Sequence, residues 1–186
     1  MATDRAFFVD VFGDIVSAVR AEYDPKTLPE VPLEPYYIYG HPREIASRLS
    51  LKDQDAVDKF RKFPLIALIT DLKQSHGQNQ AIDYELDPFT VVIVTSTKPT
   101  YNSEERTELS FKPILYPIYN LLIQKIIDSK VIATPENLVD HDHEDRYAWG
   151  AQSVYGNTGL IFNEYLDAIE ITFNNIQVYR SAKCQQ

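Results

Sequence analysis

The chain of 186 residues contains one cysteine, six glycines, one methionine and one tryptophan. A single cysteine, Cys184, excludes an internal disulfide and any cysteine-based zinc cluster, and it is compatible with a reducing cytoplasm. Six glycines leave few of the tight backbone sites that nucleotide cofactors use. There is no Gly-x-Gly-x-x-Gly, no phosphate-binding loop ending in Gly-Lys-Ser/Thr and no Gly-x-Ser-x-Gly elbow. Long hydrophobic runs are absent too. The strongest, Leu65 to Ile69, is far short of the roughly 20 residues a membrane span needs. The opening MATDRAFF does not read as a secretory signal. Excess positive charge is also missing: the formal net charge is -9, and no basic run appears. Such a chain is poorly suited to gripping phosphate backbones, which requires lysine and arginine. An acidic surface suits DNA that passes without binding.

What is present is a 44% hydrophobic composition with twelve tyrosines and eleven prolines, enough for one domain over residues 1–186 with a sizeable core. Thr3 to Glu22 reads as an amphipathic helix. Phe8, Val11, Phe12, Ile15, Val16 and Val19 recur at helical spacing, Thr3 is a plausible N-cap, and Asp24-Pro25 ends it. PKTLPEVPLEP comes next. Its prolines at 25, 29, 32 and 35 forbid helix and predict an extended arm over residues 25–35, with Leu28, Val31 and Leu33 as contact residues.

Tyr36 to Tyr39 predicts a short strand, and Pro42 to Leu49 a short helix. Lys52 to Lys62 predicts a charged turn of helix, Phe63 to Thr70 a strand, and Gln74 to Gln80 a loop. FTVVIVTST, Phe89 to Thr97, is the strongest strand because it is β-branched nearly throughout. Pro99 to Glu105 reads as a loop. Lys112 to Asp128 is the second major helix, its apolar stripe wider than one face, with Pro113 and Pro117 placed in its first turn. Lys130 to Asn157 reads as a loop insertion. Asn157 to Asp167 predicts a short helix, AIEITF a half-buried strand, Asn174-Asn175 a turn, and IQVY a strand. The expected class is α+β, a mostly antiparallel sheet packed against two main helices.

The stretch VDHDHEDRYAWG, Val139 to Gly150, holds two of the four histidines among four carboxylates. Its enzymatic reading is a small metal-dependent hydrolase using His141, His143 and Glu144. Histidines two apart share a face only on a strand, and the stretch lacks both strand alternation and His-Glu-x-x-His helix spacing. A solvated acidic loop with two aromatic anchors after it, Tyr147 and Trp149, is therefore the expectation, with no catalytic, metal or cofactor residue assigned.

Several stretches in order, the helix over 4–22, FPLIALITD, FTVVIVTSTKP and KPILYPIYNLLIQKI, resemble the tail-completion, tail-terminator and head–tail joining (neck) proteins of tailed bacteriophages. LYPIYNLLIQ after a strand and a loop carries most of the likeness, and GNTGLIFNEYLDAIEITFNNIQV is similar to neck proteins more loosely. The resemblance implies a structural virion protein rather than an enzyme. It would be a small subunit in a homo-oligomeric ring of six or twelve, contacting other neck or tail proteins. DNA would pass through the ring, and the subunit would reach the virion from the bacterial host cytoplasm. Under it, Tyr116, Tyr119, Tyr147, Trp149 and the arm residues Leu28, Val31 and Leu33 become subunit contacts.

Overall fold

Phe8, Phe12, Ile15, Val16 and Val19 lie on one stripe of helix α1 (Phe8–Glu22) and all are buried, as a 3.6-residue period requires. The computed structural model describes residues 7–23, 34–53, 62–77, 81–149 and 165–179. The expected N-cap Thr3 and the arm residues Leu28, Val31 and Leu33 lie outside them. After α1 come strand β1 (Tyr36–Gly40), helix α2 (Pro42–Asp53), and strands β2 (Leu65–Ile69), β3 (Gln74–Ser75), β4 (Ile82–Leu86) and β5 (Phe89–Ser96). Helix α3 (Ser103–Arg106) runs through a π-helical segment (Thr107–Leu115) directly into α4 (Tyr116–Asp128). Strands β6 (His141–Trp149), β7 (Leu166–Phe173) and β8 (Ile176–Tyr179) complete the fold.

Five strands form one sheet in the order β1-β2-β5-β7-β6, and three form a second in the order β3-β4-β8. Among the described residues only β1 and β2 pair in parallel and the other pairings are antiparallel, so the class is α+β with a mostly antiparallel sheet. Because side chains alternate across a strand, the large sheet has two apolar faces. Ile66, Leu68, Val91, Ile93, Ile169 and Ile171 point toward α1 and α4, where they meet Phe12, Val16, Ile118 and Leu122. Tyr84, Leu86, Ile176 and Val178 of the small sheet join that core. The opposite face carries Leu65, Ala67, Val92, Val94, Leu166 and Ala168 against Ile45 and Leu49 of α2, Ile38 of β1, and Trp149.

Four expectations are corrected. The long helix begins at Ser103, not Lys112. Asn102 caps it by accepting from the Glu105 amide while the Glu105 side chain accepts from the Asn102 amide, a full capping box in the predicted loop. Pro113 therefore lies deep inside the helical run. A proline there has no amide to donate and displaces the preceding carbonyl, and the surrounding turn is π-wound, the Tyr116 amide reaching back five residues to Phe111. Gln74 and Ser75 form a short strand rather than loop. Leu166 and Asp167, expected to end a helix, open β7 instead; residues 150–164 are outside the described set. The loop insertion over 130–157 contains a 3₁₀ turn, Pro135–Asn137, and the nine-residue strand β6.

Candidate functional site

Strand β6 is the edge of the large sheet and carries the acidic stretch. Register fixes which way each side chain points: His141 is opposite Phe173, His143 opposite Ile171 and Asp145 opposite Ile169, all on the α1/α4 face. Asp142, Glu144 and Arg146, opposite Thr172, Glu170 and Ala168, point to the α2 face. Between Arg146 and Trp149 the register slips in a bulge where Ala148 adopts φ 51. A bulge adds one residue to one strand and so re-aims the side chains beyond it. Tyr147 stays on the helix face, packed edge-on to Phe111 at 5.1 Å, while Trp149, 6% exposed, turns into the α2 core.

The helix-facing side of β6 meets the long helix in a polar seam. The Tyr119 hydroxyl lies 2.7 Å from His141 Nε2 and 3.4 Å from His143 Nδ1. His141 Nδ1 is 2.7 Å from the Val139 carbonyl, which can only accept, so that nitrogen carries the proton and Nε2 accepts from Tyr119. One turn earlier, the Tyr116 hydroxyl donates to Asp145 Oδ2 at 2.5 Å. That hydrogen bond, ahead of burial and of the Asp145 and Tyr147 charges, pushes the Tyr116 phenol up to about 12. Burial also raises the Tyr119 phenol. Tyr147 lies 3.2 Å from the Thr107 hydroxyl at the start of the π-helical segment.

The carboxylates of the stretch are engaged rather than merely solvated. Asp140 and Asp142 accept from the Asn175 and Asn174 side-chain amides at 3.2 and 3.3 Å, bracing the β7–β8 turn where Asn175 sits at φ 51. Glu144 and Glu170 oppose each other across the two strands, a repulsive pairing. Arg146 lies between them, bonded to Glu144 and 3.6 Å from Glu170. The expected loop is thus a strand, and its polar pattern is a set of pairings on both faces.

At the top of the seam Arg106 is buried and bonds Asp167 Oδ1 at 2.6 Å, with side-chain exposures of 8% and 0%. Its remaining donors reach the carbonyls of Tyr101 and Lys98 at 3.0 and 3.1 Å, which fixes the turn before α3. The same Asp167 oxygen accepts from the Ala148 amide at 3.1 Å, tying the β6 bulge to the pair. Sequence reasoning missed both residues. The available signal was an aspartate directly before the alternating AIEITF strand.

Of the expected contact residues, the structure gathers Tyr116, Tyr119 and Tyr147 into this one seam within the chain, and Trp149 beneath it. Glu144 points to the opposite sheet face from His141 and His143, so the three residues of the hydrolase reading do not converge. Among the described residues no group of three metal-ligating side chains comes together, and no helix is long and apolar enough to cross a membrane.

A second feature is a cleft of about 380 Å³ at the other edge, where β1 and β2 end and α1 begins. It is lined by Phe7, Phe8, Tyr39, Leu72 and the Glu44 carboxylate, among others, and Phe7 and Tyr39 are 73% and 42% exposed at its mouth. Gly40 at its floor has φ +149 and faces Glu44 Oε2 at 3.0 Å from where a Cβ would stand, so no other residue fits there without strain. Comparison with known proteins finds no matching family model, no matching curated protein and no matching solved structure.

Proposed function

We propose that the chain is a structural virion protein that assembles into a ring of six or twelve subunits at the head–tail junction or tail end of a tailed bacteriophage, and that DNA passes through the ring without specific binding. The observation that carries this reading is the placement of the stretches that resemble neck and terminator proteins. FPLIALITD and FTVVIVTSTKP supply β2 and β5, adjacent strands at the centre of the large sheet, and the LYPIYNLLIQ helix α4 packs on their core face. The stretches thus form one contiguous unit rather than scattered matches. The net charge of -9 fits a surface past which DNA slides. Catalysis is not part of this reading.

Light scattering across a concentration series, with negative-stain microscopy of the assembled fraction, tests it. Annular particles of six or twelve subunits are expected. A monomer at every concentration, with no annuli, would count against the ring.

A further inference from the structure

We propose that the Phe7/Tyr39 cleft receives the proline-rich arm, residues 24–33, of a neighbouring copy of the chain, so that assembly is head-to-tail; this deepens the ring reading and rests on it. The cleft, about 380 Å³ in volume, combines two exposed aromatic rings with an apolar side of Phe8, Val9 and Leu72 and a polar side of Glu44, Thr70 and Gln74. Aromatic-lined grooves are what proline-rich extended segments recognise, since proline pre-sets their backbone and removes the amides that would otherwise need partners. The arm supplies such chemistry: Leu28, Val31 and Leu33 are interleaved with Pro29 and Pro32.

Reach decides whose arm it is. β1 runs back along α1, the Tyr37 hydroxyl donating to the Val9 carbonyl at 3.0 Å near the cleft and Arg20 pairing with Glu34 at 2.7 Å at the far end. The arm therefore leaves from Tyr23 and returns at Glu34, both at the end of α1 opposite the cleft. The fifteen residues of α1 span about 22 Å at 1.5 Å each. The eleven chain steps from Tyr23 to Glu34, stretched out and back, reach about 20 Å. A chain's own arm therefore meets its own cleft only at full stretch and only with its turning tip, with no extended segment left to lie in it, whereas a neighbour's arm has no such limit. One copy's arm in the next copy's cleft is a heterologous contact, the kind that closes rings.

Two other occupants fit less well. Residues 1–6, MATDRA, offer little apolar surface beyond Met1 and alanine. Two clefts meeting face to face would bring the Glu44 carboxylates together.

The test uses the full chain. Val31→Asp with Leu33→Asp blocks the arm, and Tyr39→Asp blocks the cleft; retained thermal unfolding midpoints confirm folding. Each variant alone is expected to lose assembly, and an equimolar mixture is expected to give dimers that do not grow, because one intact arm meets one intact cleft. In a Cys184→Ser background, Val31→Cys with Tyr39→Cys is expected to give a ladder of disulfide-linked multimers on oxidation. Arm variants that assemble like the unaltered chain overturn the arm contact and leave the ring reading standing. A disulfide-linked monomer overturns it in favour of the chain's own arm. Loss of assembly on deleting residues 1–6, with the arm variants unaffected, overturns it in favour of that segment. An unaltered chain that stays monomeric, with no cross-linked ladder, overturns both proposals.

Discussion

The two edges of the large sheet are held in different ways. β1 is short and packs mainly by apolar contact, with Ile38 buried against α2 and the Tyr37 ring against Phe12 of α1, and with, among the described residues, a single side-chain hydrogen bond to that helix, from the Tyr37 hydroxyl to the Val9 carbonyl. β6 is nearly twice as long, pairs with β7 over most of its length, and meets its helix through hydroxyls, imidazoles and carboxylates. An exposed strand edge invites pairing with other chains, and charge is the usual protection. β6 carries that protection along its length. β1 ends instead beside an open aromatic cleft. The contrast is between an edge lined with charge and one that ends beside an aromatic cleft.

The largest effect is expected where β7 and the long helix share a buried charge pair beside the β6 bulge. Asp167→Ala leaves Arg106 buried without its partner, and about 3–5 kcal/mol of stability should be lost in urea denaturation. Replacing both residues by apolar ones of similar volume should cost much less. At the β1 edge, Ile38→Ala opens a cavity among Ile45, Leu49 and Ala67 and should cost roughly 2–4 kcal/mol. At the β6 edge, Tyr119→Phe removes only the hydroxyl shared with His141 and His143. A loss of about 1 kcal/mol is expected, with faster amide exchange in β6 and none of the same size in β1. Equal losses at the two edges would remove the distinction.

The smallest expected effect is alkaline. The Tyr116 phenol, ordinarily near 10, is pushed up to about 12 in the fold by Asp145, and burial takes Tyr84 to about 12 as well. Between these values the unfolded chain has released protons that the folded chain keeps. Stability is fully present below the unfolded value and falls as pH rises toward the folded one. Unfolding midpoints measured across this range should decline, and Tyr116→Phe should flatten the decline; an unchanged slope would place the hydrogen bond elsewhere.

The same contrast explains what the sequence revealed. β5 was legible because a strand buried on both faces is written in valine and isoleucine. α1, β1, β2 and β8 were legible from apolar period or from flanking turns. β6 was not, because an edge strand whose polar side chains pair on both faces shows no apolar alternation. The long helix hid its first two turns, since Pro113 and Pro117 imitate a helix start and the π-wound segment departs from the 3.6-residue period. Of the seam, Tyr147 and Trp149 were identified as anchors without the bulge that sends them to opposite faces. The partners of Tyr116 and Tyr119, and the Arg106–Asp167 pair, depend on register across chain-distant strands, which no local pattern encodes.

The ring itself is tested most directly by the mass of the purified chain in light scattering as concentration rises, read together with images of the same sample. Growth to a closed species of six or twelve subunits that appears as annuli is expected. A mass that stays at one 21.4 kDa chain at every concentration, with no annuli, would contradict it.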